Sequence, residues 1–378
     1  MPSQITNYKC PACGGPLRFA GDSGKLQCDY CGSAFDLAEI ESQMSDAEAK
    51  AAEAFDKETD KASGDSDKVS GESGDTWDTS GLDSDWGADA NGLRTYSCPS
   101  CGAELICEQA TAATSCPYCG NNAIVPGQFS GALKPDYVIP FKLDKNAAVD
   151  ALKKHYKGKY LLPKAFSRQN HIEEVQGVYV PFWLFDGKAD ADITFHATQS
   201  SSRREGKYEV TTTRHYDVRR AGSVEFERVP VDASKRMPDD MMDSIEPFDY
   251  GELKPFSTAY LPGFLADRYD VSVEESARRA DERCSNTVVD MLENTVTGYE
   301  TVSLESKDVR IRRGKVHYAL LPVWLLHTKW AGKDFLFGMN AQSGKMVGNL
   351  PINWVKFWLT FVGIFAPLTA LSYWFFMT

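Results

Sequence analysis

Histidine is scarce in this chain of 378 residues, because only six are present and they are dispersed. No His-Glu-x-x-His pair occurs, which excludes the usual zinc-protease helix, and no Gly-x-Ser-x-Gly elbow supplies a hydrolase nucleophile. The stretch "GMNAQSGKM" resembles a phosphate loop only superficially, since Met346 stands where Ser or Thr would hold Mg²⁺. We read it instead as a tight strand-to-strand turn at Gly344. These absences argue against an enzyme and against a nucleotide-driven motor.

Cysteine, by contrast, is concentrated in two short segments. The segments "CPACGGPLRFAGDSGKLQCDYCG" and "CPSCGAELICEQATAATSCPYCG" both read C-x2-C-x14-C-x2-C and lie 88 residues apart. Paired Cys-x-x-Cys knuckles bring four thiolates to the corners of a tetrahedron, which is the arrangement of closed structural zinc sites. We therefore predict two zinc ribbons with two Zn²⁺ per chain, held by Cys10, Cys13, Cys28, Cys31, Cys98, Cys101, Cys116 and Cys119.

Two other readings of these cysteines are open. Disulfides are disfavoured because no secretory signal precedes "MPSQITNYKC", and an intracellular pool keeps thiols reduced. Iron in a rubredoxin-like site also uses four thiolates, but nothing in the chain resembles an electron-transfer partner. The remaining two cysteines, Cys107 and Cys284, are predicted to pack in the core.

The excess of negative over positive charge is confined to one region of the chain. The net charge is -12, and the stretch from Asp36 to Thr95 accounts for essentially all of it. The first part of this stretch predicts an exposed helix and the second part predicts disorder, so we interpret it as a solvated tether between the ribbons. Trp77, Leu82 and Trp86 are unusual in such a tether, and the alternative is a short partner-docking motif.

The last 22 residues, 357–378, carry no charge. As a helix they would be about 33 Å long, against a hydrocarbon core of about 30 Å. Aromatic residues gather at both ends of the stretch, as in interfacial belts, and Lys345 and Lys356 precede it. This pattern predicts a tail anchor in the cytoplasmic (inner) membrane, with the bulk of the chain facing the cytoplasm.

The middle of the chain repeats one pattern. The helix predicted in "LDKNAAVDALKKHY" has Asp144 as its N-cap, and strand-like segments follow it. A second helix is predicted from Ser272 to Glu293, where Val273, Cys284, Val288 and Met291 recur at helical spacing. After it, "LLPVWLL" matches "YVPFWLF" at an offset of 141 residues. We predict a duplicated α+β unit.

The fold class predicted from these patterns is multidomain. It comprises two small zinc ribbons, a duplicated α+β domain rich in antiparallel strands, and one C-terminal transmembrane helix. The predicted boundaries are 1–40 for the first ribbon, 41–94 for the acidic, partly disordered linker, 95–130 for the second ribbon, 131–350 for the duplicated domain and 357–378 for the anchor.

Zinc ribbons bind either nucleic acid or protein, and their surface charge separates the two functions. The second ribbon contains Glu104 and Glu108 and no basic residue. Phosphate backbones require cationic surface, so protein contact is the better interpretation.

On its cysteine ribbons and hydrophobic C-terminal segment, the chain resembles bacterial membrane-anchored zinc-ribbon proteins of the YdjG type, with ribbons like those of transcription factor IIB. Some relatives carry a label from the replication-restart helicase PriA, although no helicase motif occurs here. The resemblance implies association with SPFH-domain (flotillin-like) proteins and with phage-shock protein A, and thus a scaffold in the envelope-stress response. This sequence departs from some relatives in having a single final span.

The sequence thus predicts a non-enzymatic, membrane-anchored adaptor or scaffold that mediates protein contacts at the cytoplasmic membrane face. Its expected partners are proteins and, through the C-terminal helix, membrane lipid, whereas nucleic acid is disfavoured. The alternative is a nucleic-acid-binding or replication-associated zinc-ribbon protein.

Overall fold

The structure is a computed structural model of the chain. It describes residues 17–20, 25–28, 32–36, 76–82, 86–109, 111, 113, 115–129, 133–169 and 174–377. The predicted ligands Cys10, Cys13 and Cys31 therefore lie outside the described residues, as do residues 41–75 and 83–85 of the predicted linker.

The described residues form two antiparallel-rich sheets and five α-helices. The strands are β1 (Leu17–Ala20), β2 (Lys25–Cys28), β3 (Ala34–Phe35), β4 (Leu93–Ser97), β5 (Glu104–Glu108), β6 (Val125–Gln128), β7 (Tyr137–Val138), β8 (Gln176–Glu205), β9 (Tyr208–Asp232), β10 (Lys254–Pro255), β11 (Leu265–Asp267), β12 (Thr301–Trp330), β13 (Lys333–Asn340) and β14 (Met346–Gly348). The helices are α1 (Lys145–Tyr156), α2 (Lys164–Gln169), α3 (Asp239–Ile245), α4 (Val273–Glu293) and α5 (Trp354–Met377). Strands β1, β2 and β3 form the small sheet, and all the other described strands belong to the large one.

Two strands of 30 residues each, β8 and β12, form the centre of the large sheet and pair antiparallel. The central run "GVYVPFWLF" is buried throughout, and successive side chains enter opposite clusters. Trp183 and Phe185 pack in one cluster, while Phe182 and Leu184 pack in the other. A strand covered on both faces needs an unbroken apolar run, because alternate side chains point to opposite sides of the sheet.

Hydrogen bonds repeat between the two halves of the large sheet. The indole nitrogen of Trp183 donates to the carbonyl oxygen of Val271 at 2.9 Å, just before the N-cap of α4. The indole nitrogen of Trp324 donates to Leu143 at the same distance, just before the N-cap of α1. Each tryptophan of the Pro-x-Trp-Leu pair thus bonds to the residue before the N-cap of the helix in the other half.

Strand pairing follows the same repeat. Strand β11 lies parallel to β8, with Leu265 opposite Val178, and β7 lies parallel to β12, with Tyr137 opposite Ala319. The pairs correspond, because Val178 and Ala319 are separated by the same 141 residues as the two Pro-x-Trp-Leu motifs. Each half therefore contains a short parallel strand, a helix, a long strand and a return strand.

The N-caps of both long amphipathic helices follow from the sequence. The Asp144 carboxylate accepts a hydrogen bond from the backbone N–H of Ala147 at 2.8 Å, and the Ser272 hydroxyl accepts one from Glu275. Met291 shares the helical spacing of Val273, Cys284 and Val288 but is 49% exposed. Leu292 packs against the sheet in its place, since the position four residues after Val288 faces inward.

The predicted linker is packed at its C-terminal end. We call residues 76–82 the strap. The Trp77 ring lies 4.8 Å from that of Phe185, edge to face, and Gly187 of β8 leaves room for the indole. The backbone N–H of Asp78 donates to Gly314, and the Asp78 carbonyl accepts from Val316, both at 2.9 Å. The strap therefore bonds to β12 where the register of that strand is irregular, between Arg313 and Val316.

Leu82 and Trp86 are buried as well, and the Trp86 ring contacts those of Phe129 and Phe256. The predicted tether boundary at residue 94 consequently needs correction, since 76–82 and 86–94 pack against the large sheet. Burial of the large apolar side chains of Trp77, Leu82 and Trp86 stabilises this packing. These three residues bind this chain's own core.

Helix α5 begins at Trp354, three residues before the predicted anchor, and contains Pro367. Of the described helices it alone has the length and apolar composition needed to cross a membrane, over Trp354–Tyr373, and none of that window is buried.

Replacing Trp77 with alanine should release the strap. The lost ring contact and the cavity beside Phe185 should lower the free energy of unfolding by about 3 kcal/mol. Limited proteolysis should then cut within 76–86, and the thermal midpoint should fall. Trp77→Phe is the matched control, because it keeps an aromatic ring and removes an indole N–H that is buried without a hydrogen-bond partner. Equal protease resistance of the alanine variant and the wild type would contradict the packing described.

Candidate metal centre

Four of the eight predicted ligands converge beside strands β4 and β5. Cys98 follows β4, Cys101 precedes β5, and Cys116 and Cys119 lie between β5 and β6. Their sulfur atoms all lie within 4.8 Å of one another. The Cys98–Cys119 and Cys101–Cys116 sulfur pairs are each 3.6 Å apart.

These distances fit a tetrahedral metal ion such as zinc. A Zn–S bond of about 2.3 Å in tetrahedral geometry places the sulfurs about 3.8 Å apart. A disulfide would require about 2.05 Å, so these four cysteines are not paired as disulfides.

Both knuckles are shaped by the same backbone hydrogen bonds. Gly102 N–H donates to the Cys98 carbonyl at 2.8 Å, and Gly120 N–H donates to the Cys116 carbonyl at 2.9 Å. The φ angles of the two glycines are +73° and +68°, a region that other residues rarely adopt. Gly120 is further constrained, because a Cβ there would lie 2.7 Å from a ring nitrogen of His327. The glycine after each knuckle is therefore required by backbone geometry.

The ionisation of the sulfurs differs within the centre. Burial acts to raise the pKa of the Cys98 thiol, but backbone N–H groups of Cys101 and Ser100 bring it down to about 7. Burial raises the pKa of Cys101 and of Cys116 above the usual value. Thiolates are the metal-binding form, and the lowered pKa of Cys98 favours that form more than the raised values of Cys101 and Cys116 do.

The described part of the first ribbon repeats this backbone. Gly32 N–H donates to the Cys28 carbonyl, Cys28 N–H donates to Ser33, and both distances are 2.9 Å. Gly32 has a φ of +72°. The knuckle that begins at Cys28 thus matches those at Cys98 and Cys116, although the other three predicted ligands of this ribbon lie outside the described residues.

The second ribbon is joined to the large sheet through β11. This strand pairs antiparallel with β5 of the ribbon and parallel with β8 of the centre. The predicted separate unit 95–130 is therefore continuous with the sheet of the duplicated region. Strand β11 has only three residues, and no local sequence pattern predicts that it pairs with a strand on each side.

A buried hydrogen-bond group lies at this junction. The hydroxyls of Tyr118, inside the second knuckle, and Ser234 donate to the same Asp267 carboxylate oxygen at 2.8 and 2.6 Å. Burial raises the pKa of Asp267 to about 7, while the two hydroxyls act to lower it. Buried polar groups need such partners, so this group fixes the knuckle against the sheet.

Charged side chains hold the ribbon from outside. Arg268 pairs with Glu104 at 2.7 Å, and Arg236 donates to the Gly102 carbonyl while it pairs with Asp270. Sequence reasoning missed these residues because each pair joins positions far apart in the chain. Glu104 lies in a ribbon that contains no basic residue, and it was the one sequence signal of a cationic neighbour.

A second group of possible ligands lies on the long strands. One atom each of His196, Asp217 and Glu305 falls within 4.8 Å of the others, and His196 also meets His215 at 3.1 Å. All but His196 are exposed. The sequence did not bring them together, because they meet only through the register of β8, β9 and β12.

The two remaining cysteines lie where the sequence predicted. Cys107 is fully buried on β5 beneath the ribbon, and Cys284 is buried on α4. Burial raises the pKa of each to about 11, so both are protonated at neutral pH.

Loss of one ligand should remove one metal ion. We expect Cys116→Ser to bind one zinc fewer than the wild-type chain and to lose protease resistance around the ribbon, since the metal stabilises this short segment. Elemental analysis of the purified proteins measures the stoichiometry. Cys107→Ser is the control and should keep every ion. An unchanged zinc content in Cys116→Ser would show that the ligand set is different.

Comparison with known proteins identifies a relative of this chain. No family model matches the chain, and no solved structure matches it significantly. The chain is 33% identical over 319 residues to the uncharacterised protein YdjG of Bacillus subtilis (strain 168), and the match covers 71% of this chain and 94% of the relative. With a cysteine centre built for a tetrahedral ion and this extent of identity, the chain belongs to the YdjG family.

Proposed function

We propose that this chain is a non-enzymatic adaptor or scaffold, anchored in the cytoplasmic membrane by α5, whose two zinc ribbons and duplicated domain bind other proteins at the cytoplasmic face. The observation that carries the proposal is the combination of a closed four-cysteine centre with an apolar helix whose candidate span is nowhere buried against the protein.

The closed centre supports a structural metal. Four protein sulfurs complete a tetrahedron and leave no position for a water or substrate, whereas catalytic zinc keeps one position open. The ribbon also joins the sheet through β11 and through Asp267, so the ion stabilises the edge of a larger surface. We propose that zinc fills this centre and its counterpart in the first ribbon.

Charge supports protein rather than nucleic acid as the partner. Two arginines that contact the second ribbon are neutralised, because Arg268 pairs with Glu104 and Arg236 pairs with Asp270. Phosphate backbones are bound by uncompensated cationic surface. By family resemblance, the partners would be SPFH-domain proteins and proteins like phage-shock protein A, in the envelope-stress response.

Removal of the anchor should release the protein. A chain lacking 354–377 should move from the membrane pellet to the soluble fraction and should keep its zinc, because the candidate span is not buried in the folded part. Fractionation followed by zinc analysis measures both properties. Deletion of 199–211, an equally peripheral segment at the tip of β8 and β9, should leave the protein in the pellet. A truncated chain that still pellets would contradict the anchor.

Partner capture tests the adaptor function. The full chain, tagged at its N-terminus and purified from detergent-solubilised membranes, should retain SPFH-domain or phage-shock-type proteins identified by mass spectrometry. Cys116→Ser should lose them, and Cys107→Ser should keep them, because only the first disrupts the metal centre. Recovery that depends on nucleic acid and disappears on nuclease treatment would overturn the proposal in favour of a nucleic-acid-binding protein. Recovery no greater than with α5 fused to a carrier protein would overturn it as well.

A further inference from the structure

A cationic surface lies beside the start of α5. The end of α1, the loop after it and α2 contain five lysines between Ala151 and Gln169 and no acidic residue. All five side chains are exposed, while Leu152 and Tyr156 of the same helix are buried on the opposite side. We call the exposed side chains of Lys153, Lys154, Lys157 and Lys159, together with Tyr160, the lysine face.

Little acidic charge compensates the lysine face from within its own helix. Asp150, one turn before, lies 3.5 Å from the ammonium group of Lys153, and both side chains are largely exposed. Exposed pairs of this kind are weak. The lysine face therefore keeps a local positive potential in a chain whose net charge is -12.

The lysine face is fastened to the first turn of the apolar helix. Asn353 N–H, immediately before α5, donates to the Leu161 carbonyl at 2.8 Å. Lys356, in the first turn, donates to the Tyr160 carbonyl at 3.3 Å, and its ammonium group lies 5.6 Å from the centre of the Tyr160 ring. The loop after α1 and the first turn of α5 are thus held side by side.

The connection to α5 is also short. Strand β14 ends at Gly348, and five residues separate it from the first residue of α5. The imidazole Nε2 of His155, on α1, lies 3.2 Å from the Gly348 carbonyl and bonds to it. With both ends of the connection bound to α1 and its loop, the folded part cannot swing freely about the anchor.

We propose that the lysine face binds the anionic phospholipid headgroups of the leaflet that α5 enters. This inference rests on the membrane anchor proposed above. If α5 crosses the bilayer, its first turn lies at the headgroup level, and the contacts of Asn353 and Lys356 place the loop there too. Anionic lipid attracts lysine over a distance of about one Debye length, and the contact places the exposed Tyr160 ring at the interface that tyrosine prefers.

The distribution of charge makes this face selective. An anionic leaflet repels the acidic stretch from Asp36 to Thr95 and attracts a local cationic surface. The lysine face would therefore fix which side of the folded part meets the bilayer, and the second ribbon and the long strands would be presented in one orientation.

Lysine acylation of the full chain in nanodiscs tests this proposal. The rates of Lys154, Lys157 and Lys159, read by mass spectrometry, should be about fivefold lower in discs of equal parts phosphatidylglycerol and phosphatidylcholine than in pure phosphatidylcholine. About 1 M salt should abolish the difference, because the Debye length falls to about 3 Å. Lys207, exposed in the turn between β8 and β9, and Lys307, exposed on β12, should react equally in both discs.

Matched variants distinguish an effect of the lysine face from an effect of the total charge. Hydrogen exchange of loop 157–162 should slow in the anionic discs for the wild type. It should not slow when Lys153, Lys154, Lys157 and Lys159 are all changed to Gln. It should still slow when four exposed lysines elsewhere are changed to Gln, namely Lys207, Lys235, Lys254 and Lys307.

The two proposals fail in different ways. If the full chain enters both kinds of disc but the acylation rates are equal, the lipid contact is wrong and the anchor stands. If the chain enters neither, both proposals are wrong. If added RNA slows acylation of the same lysines while phosphatidylglycerol does not, the lysine face is a nucleic-acid surface and the lipid proposal is overturned.

Discussion

The antiparallel pairing of β8 and β12 is the constraint on which the rest of this structure depends. Its central residues are covered on both faces, so every neighbouring element must supply side chains to one of two cores. The strap, α1 and α4 cover one side, and α3 with the second ribbon covers the other. The two tryptophan hydrogen bonds tie each helix to the strand of the opposite half, which makes the halves interdependent. A unit of this kind is stable only when both copies are present.

The metal centre extends this arrangement rather than standing apart from it. Strand β11 carries Asp267 into the junction, where Tyr118 of the second knuckle reaches it. An ion bound by the four cysteines would therefore stabilise a sheet edge and, through Tyr118, a buried carboxylate. Loss of the metal should destabilise the central sheet as well as the ribbon, because the two share one hydrogen-bonded network.

Local patterns predicted local features well. Asp144 and Ser272 marked their helices, the cysteine spacing marked the centre at Cys98, and the turn at Gly344 joins β13 to β14 as expected. Features that depend on distant partners were not accessible. Trp77 looked like part of a solvated tether because its acidic neighbours dominate the composition, and only the bulge in β12 explains where it binds. The ribbon was read as a free module because nothing near Cys98 indicates β11. Only Cys28 of the first ribbon's ligands is described, so the metal site of that ribbon stays a prediction. The identity of the chain's partners stays a prediction as well.

The length of β8 has a mechanical consequence. At about 3.3 Å per residue, a strand of 30 residues is about 100 Å long, which exceeds what its buried portion requires. Beyond Ala197 the strand loses its covering helix, and cross-strand hydroxyl pairs such as Ser200–Thr213 and Ser202–Thr211 replace apolar contacts. Charged side chains along β9 oppose pairing with another edge. The hairpin of β8 and β9 is held along its base and uncovered at its tip, so a force applied near Gly206 would act far from the hydrogen bonds of Trp183 and Trp324.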